Sequence, residues 1–238
     1  MEITDTLRHV FLSSTDGKSE VALREKLQIE INSAFCTQQH LFSQELDTRQ
    51  RITNCRQELR SLENRNSLSD ICLFEATPLT EFFMNICYAC DLALAGTGKR
   101  VLFSGTADSA FICREAVIRQ ILNLISNAAI HSASPVINAQ LKSFKQTAFF
   151  SVCSSGNADL QKVEKSFKKT GSGLWYTAKA SRLHGTTALF CYSDKNIKTS
   201  IGLKTSSIKI HKPVEDFTSL LCDRLSPVYT QLSTVEGI

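Results

Sequence analysis

The sequence predicts an α+β chain: an N-terminal helical hairpin followed by an α/β sandwich, with a mixed sheet covered by helices on one face. Three observations lead there. Through residue 65, apolar residues recur at helical spacing among good helix formers, with no proline. The texture changes at a polar stretch, Asn66 to Ser69, which reads as a linker. From Pro78 onward, helical and strand-like segments alternate, an order that builds one sheet with helices packed on it.

The elements follow in order. Leu23, Leu27, Ile31 and Phe35 recur every four residues, and Leu41, Leu46, Ile52 and Leu59 continue a looser stripe. One or two long helices over 20–65, each with a single apolar face, want a partner face: an internal hairpin or a homodimer. Thr77-Pro78 reads as a helix N-cap with proline at the first helical position. Leu79, Phe82, Phe83, Ile86, Cys87 and Cys90 then form an apolar helical face. Gly96-Thr97-Gly98-Lys99 is a turn, and Val101-Leu102-Phe103 a short buried strand. A helix is expected from Ala110 to His131 and another over 173–184. Strands are expected at 136–142, 147–153, 187–193 and 200–206, where Phe, Val, Leu and Thr are enriched. Residues 207–238, with Pro213 and Pro227, can be placed only as a C-terminal tail.

Composition bounds the function. The 238 residues carry 27 Lys+Arg and 23 Asp+Glu, a formal charge of +4, with 42% hydrophobic and 21% charged residues. That is enough apolar material for a core and too little charge for general disorder. So mild a positive charge gives no argument for nucleic acid. No run approaches the ~20 apolar residues that span a bilayer, and the N-terminus has no basic stretch ahead of an apolar one. A cytoplasmic chain is expected. Its nine cysteines then read as reduced thiols among apolar residues. Cys87 and Cys90 have the spacing of a metal or redox pair, but no second pair follows, so they read as one turn of an apolar helix face.

The segment from Arg119 to Ser132 carries the chemistry. Asn123 and Asn127 are four apart and project from one helix face, which the pattern places toward solvent. A neutral amide oxygen can ligate Mg²⁺ while phosphates balance the metal's charge. Ser151 to Asn157 ends a strand in a glycine turn at Gly156. Gly171 and Gly173 then open a helix, where backbone N–H groups and the helix dipole face any anion.

This ordered set resembles the ATP-binding domain of bacterial sensor histidine kinases and the related gyrase-type ATPases. Their Asn box is similar to Leu122–Ser132, and their second glycine box is similar to Thr170–Leu174 with Leu183-His184-Gly185 beyond it. The resemblance covers about residues 77–206. It implies ATP bound against the sheet, Mg²⁺ on Asn127, Asn123 near the phosphates, and Gly171, Gly173 and Leu174 around the phosphate tail. It divides the chain into a dimerisation and phosphoacceptor-like region at 1–70, the ATP-binding domain at 71–206 and a tail at 207–238.

The departures bear on activity. The family's first glycine box begins with an Asp that reads the adenine amino group; here Ser154 stands there, with Gly156 keeping the turn and Ala158 in place of a second Gly. Ile130 replaces a Lys that commonly follows the Asn box. The lid between Gly156 and Gly171 is short, with Phe167 similar to the family's lid phenylalanine. Lys165, Lys168 and Lys169 either supply phosphate-binding charge or form a solvated basic run. His131 and His184 read as structural or surface histidines, and Trp175 as core beside the glycine turn.

A histidine kinase also needs a phosphoacceptor. His9, in Leu7-Arg8-His9-Val10-Phe11, weakly resembles the family's H-box but lacks the carboxylate and the proline that follow it there. His40 also lacks an acidic neighbour. The resemblance implies Mg-ATP-dependent autophosphorylation of a histidine in a homodimer, then transfer to a response-regulator receiver domain. The alternative is a degenerate pseudokinase, a dimeric docking or phosphotransfer scaffold with weak or no ATP binding.

Overall fold

A computed structural model describes residues 25–26, 29, 42–66, 72–156, 159–193, 196–206, 217–222 and 226–235. Two compact units divide the chain, Met1–Glu58 and Leu59–Ile238. Of the expected hairpin, helix α1 (Phe42–Asn66) is described, with Ile52, Cys55 and Leu59 among its buried residues. His9, His40 and most of the first expected helix lie outside the described residues.

The second unit is built on β1 (Phe74–Pro78), α2 (Leu79–Leu94), β2 (Arg100–Thr106), β3 (Ser109–Cys113), α3 (Arg114–His131), β4 (Val136–Phe144), β5 (Thr147–Ser155), α4 (Leu160–Lys168), α5 (Gly173–Leu183), β6 (Leu189–Ser193), β7 (Asn196–Ser206) and α6 (Pro227–Leu232). The sheet runs β1-β3-β7-β5-β4-β2, with β6 paired to β7. Among the described residues only the β2–β4 pairing is parallel, so the sheet is mixed.

Alternation along the strands makes the sheet one-sided. Ile137, Ala139 and Leu141 of β4, Ala148, Phe150 and Val152 of β5, and Ile201 and Leu203 of β7 join the core. Asn138, between them on β4, and Lys142, just after them, are exposed. The helices cover the buried face: Phe82, Phe83, Ile86, Cys87 and Cys90 of α2 and Val117, Ile121, Leu124 and Ile125 of α3 complete the same core. The Phe83 ring stacks on Phe150 at 4.5 Å between centroids. Burial pushes the Cys87 thiol well above its ordinary range, with the neighbouring Cys90 adding to the shift. Both cysteines are core residues of a helix face.

Four local expectations change. Pro78 is the N-cap of α2 and the last residue of β1, so Thr77 is a strand residue. Residues 109–113 form β3 before α3 begins, because β1 pairs with them antiparallel from Phe74↔Cys113 to Pro78↔Ser109. The segment 160–168 is helical, capped by Asp159, which accepts from the N–H groups of Gln161 and Lys162. Cys72 and Cys113, expected as separate reduced thiols, are joined in a disulfide that ties the start of the sheet to the N-cap of α3.

The tail also enters the core. Val228 and Leu232 of α6, with Val235, are buried in the cluster formed by α2 and α3. Among the described residues, no helix is long and apolar enough to cross a membrane.

One ion pair staples α2 to β2. Asp91 accepts from Arg100 Nε at 2.8 Å and Nη2 at 2.9 Å, and from the Val101 N–H at 2.8 Å. The Arg100 guanidinium, helped by the Val101 N–H, holds the Asp91 carboxyl below the usual carboxylate range against the opposing effect of burial. A carboxyl so lowered stabilises the fold above its unfolded-state value and loses that contribution as pH falls through its folded-state value. Asp91→Ala, which orphans the Val101 N–H, is therefore expected to cost about 2 kcal/mol at neutral pH. The difference from the parent should shrink below about pH 4. Urea titrations of both proteins from pH 7 down to pH 3 check this; a constant difference would contradict it.

Candidate nucleotide site

A cavity of about 390 Å³ opens between α3, the sheet, α4 and the start of α5. Its floor comes from alternate residues of three neighbouring strands. Phe190, Thr199 and Val152 stand in one cross-strand row, and Ile197 and Ser154 in the next. Leu124, Asn127, Ala128 and His131 of α3 form one wall; Asp159 and, on α4, Lys162, Val163 and Ser166 form the opposite one. Ser172, Gly173 and Leu174 close the end where α5 begins.

That end is shaped for an anion. Ser172 caps α5: its Oγ accepts from the Trp175 N–H at 3.1 Å and donates to the Ser166 carbonyl, tying α5 to α4. Gly171, at φ 84°, makes the left-handed turn that brings the chain into the helix. The N–H groups of Gly173 and Leu174, in the first turn, have no partner among the described residues. Orphan donors at a positive helix end are what a phosphate needs.

Asn127 and Asn123 part company here. Asn127 is half-buried and lines the cavity, and its side chain has no hydrogen-bond partner among the described residues. Its amide oxygen would supply one hard oxygen ligand to a Mg²⁺ bound there, whose charge phosphates would balance. Asn123, expected on the solvent-facing stripe, is fully buried and is not among the lining residues. Its Oδ1 accepts from Arg60 at 3.4 Å and sits where a Cβ on Gly173 would come within 2.4 Å. Asn123 thus lies beneath the first residue of α5, and Gly173 must be glycine for the helix to come that close.

The other expected residues divide in the same way. Ser154 lines the cavity with Gly173 and Leu174. Gly156 lies behind it, where an added Cβ would meet the His131 carbonyl at 2.7 Å. His131 faces the cavity. His184 is structural: its Nε2 accepts from the Cys113 N–H at 3.1 Å, its Nδ1 donates to the Ala180 carbonyl, and burial lowers its pKa. Trp175 packs beside Cys113 and Tyr176. Of the basic residues near the lid, Lys162 lines the cavity, whereas Lys168 is paired with Glu164 at 2.6 Å.

Sequence reasoning missed Val152, Phe190, Ile197 and Thr199. Strand alternation places Val152 with Ser154 and Ile197 with Thr199 on shared faces, but only the register between β5 and β7 puts the two pairs side by side.

No family model and no curated protein sequence matches this chain. Solved structures do resemble it. The catalytic domain of histidine kinase ThkA aligns at 16% identity with a TM-score of 0.50, over 56% of this chain and 96% of that domain. The Acinetobacter baumannii histidine kinase AdeS aligns at 17% identity and TM-score 0.54, over 79% of this chain and 95% of its own. Full-length ShkA, solved in complex with AMPPNP, aligns at 10% identity and TM-score 0.60, over 82% of this chain and 47% of its own. The β1–β7 unit has the fold of histidine-kinase catalytic domains.

Proposed function

We propose that this chain is a histidine-kinase core that binds Mg-ATP and transfers the γ-phosphoryl group to a histidine, with His9 the candidate acceptor. In that step a ring nitrogen of the histidine bonds to the γ-phosphorus and ADP leaves. The phosphoryl group then passes to an aspartate of a response-regulator receiver domain. The same reading has the chain act as a homodimer through its N-terminal helices. The observation that carries the reading is the cavity's polar lining. Asn127, Ser154 and Thr199 line it with no side-chain partner among the described residues, next to the orphan N–H groups of Gly173 and Leu174. The bound ATP analogue in ShkA belongs to that protein and supports the reading by fold alone. Mg²⁺ would be held by Asn127 and would neutralise phosphate charge.

A second reading, a scaffold with weak or no ATP binding, is favoured by Ile130, which is exposed where the resembled family carries a lysine. Calorimetric titration of the full chain with ATP, with and without Mg²⁺, separates the two. Magnesium-dependent binding at micromolar to submillimolar Kd is the expected result. It should stabilise the fold by about 2.7 kcal/mol at a hundred times Kd. Neither heat nor stabilisation would turn the assignment to the scaffold.

A further inference from the structure

We infer that the cavity accepts 6-oxo purine nucleoside triphosphates as readily as 6-amino ones. This rests on the nucleotide reading above and concerns which base the same site takes. The orphan N–H groups of Gly173 and Leu174 set the phosphate end at the start of α5. A base then lies on the sheet floor, whose apolar surface is Val152, Ile197 and Phe190. Among the described residues, that floor carries two polar side chains, Ser154 and Thr199.

The register places these two on diagonally neighbouring positions, since Val152 faces Thr199 and Ser154 faces Ile197. Both are buried, at 8% and 9% exposure, and neither hydroxyl has a hydrogen-bond partner among the described residues. A hydroxyl rotor donates or accepts as its partner requires. An exocyclic 6-amino group is a donor, and a 6-oxo group is an acceptor. A floor whose polar side chains, among the described residues, are both free rotors satisfies either group. A group of fixed polarity, such as a carboxylate, would leave the wrong base facing an unpaired buried atom, the arrangement that gives strong rejection.

The charged lining residues stand elsewhere. Asp159 is the lining carboxylate, and its Oδ1 is occupied by the N–H groups of Gln161 and Lys162 at 3.1 and 3.2 Å, with Lys162 Nζ 3.7 Å from Oδ2. Its side chain is half exposed, at the N-terminus of α4 and not on the floor. His131 and Lys162 lie on the two walls and are exposed.

The test measures Kd for ATP and ITP with Mg²⁺ on the full chain. ITP carries the 6-oxo group, and with it an N1–H in place of adenine's N1 acceptor, without adding guanine's 2-amino group. Affinities within ten-fold of each other are expected; ITP weaker than ATP by more than ten-fold overturns the inference. Ser154→Asp, which installs a fixed acceptor, should move the ATP-to-ITP ratio at least ten-fold toward ATP, and a smaller shift overturns the role given to Ser154. Ser154→Ala, which brings in no charge, should leave that ratio within ten-fold of the parent's, and a larger change overturns the inference. If ATP binds and ITP does not, the base inference alone fails. If neither binds, the nucleotide reading fails and takes the inference with it.

Discussion

Asn127→Ala is expected to abolish the magnesium-dependent part of ATP affinity, a loss of ten-fold or more in Kd with Mg²⁺ and little change without it. The side chain lines the cavity and has no hydrogen-bond partner among the described residues, so its removal breaks no internal bond. It is half-buried, and truncation away from the core should cost within about 0.5 kcal/mol of stability. Binding and folding therefore separate. Titration with and without Mg²⁺, beside a urea melt of the nucleotide-free protein, reads both. An unchanged magnesium dependence would refute the metal role of Asn127.

Gly173→Ala is expected to damage both fold and binding. The added Cβ would stand 2.4 Å from Asn123 Oδ1 and 2.9 Å from its Cγ. Asn123 is fully buried, so its amide has nowhere open to swing. Either that side chain repacks or the start of α5 moves outward. Overpacking of this kind costs about 1–3 kcal/mol. Because the N–H groups of Gly173 and Leu174 move with the helix, nucleotide affinity should fall by at least ten-fold. The double variant Asn123→Ala/Gly173→Ala removes the colliding atoms. It should lose less stability than the two single variants added together. Strict additivity in denaturant melts would show that the close approach is not the cause.

Much of this candidate site was legible along the chain because each box is local. Asn127, Ser154, Gly173 and Leu174 sit at helix or strand ends that short patterns announce: an Asn pair four apart, a strand ending in glycine, a Gly-x-Gly before a helix. The structure brings these four to one cavity. Asn123 was harder. Helical spacing puts it on the same face as Asn127, but one turn is enough to carry it from the cavity wall to a position beneath α5. Periodicity gives an angle around a helix and says nothing of what stops along its length. β1 and β3 were missed for a related reason. Residues 110–113 are apolar and continue a helical pattern, and what makes them strand is pairing with partners 33 to 39 residues earlier.

By itself the sequence determined the class of fold and the order of most helices and strands after Pro78, and it marked the residue types proposed for a phosphate and Mg²⁺. These rest on neighbours within a turn or a strand. The tertiary structure alone decided that Val228, Leu232 and Val235 of the tail are core, among the residues of α2 and α3. It also decided that Cys72 and Cys113 meet and that Thr199 shares the cavity floor with Ser154. The physical reason is common to all three. Each depends on strand register or helix docking between segments distant in the chain, and a slip of one residue in register turns every side chain to the other face.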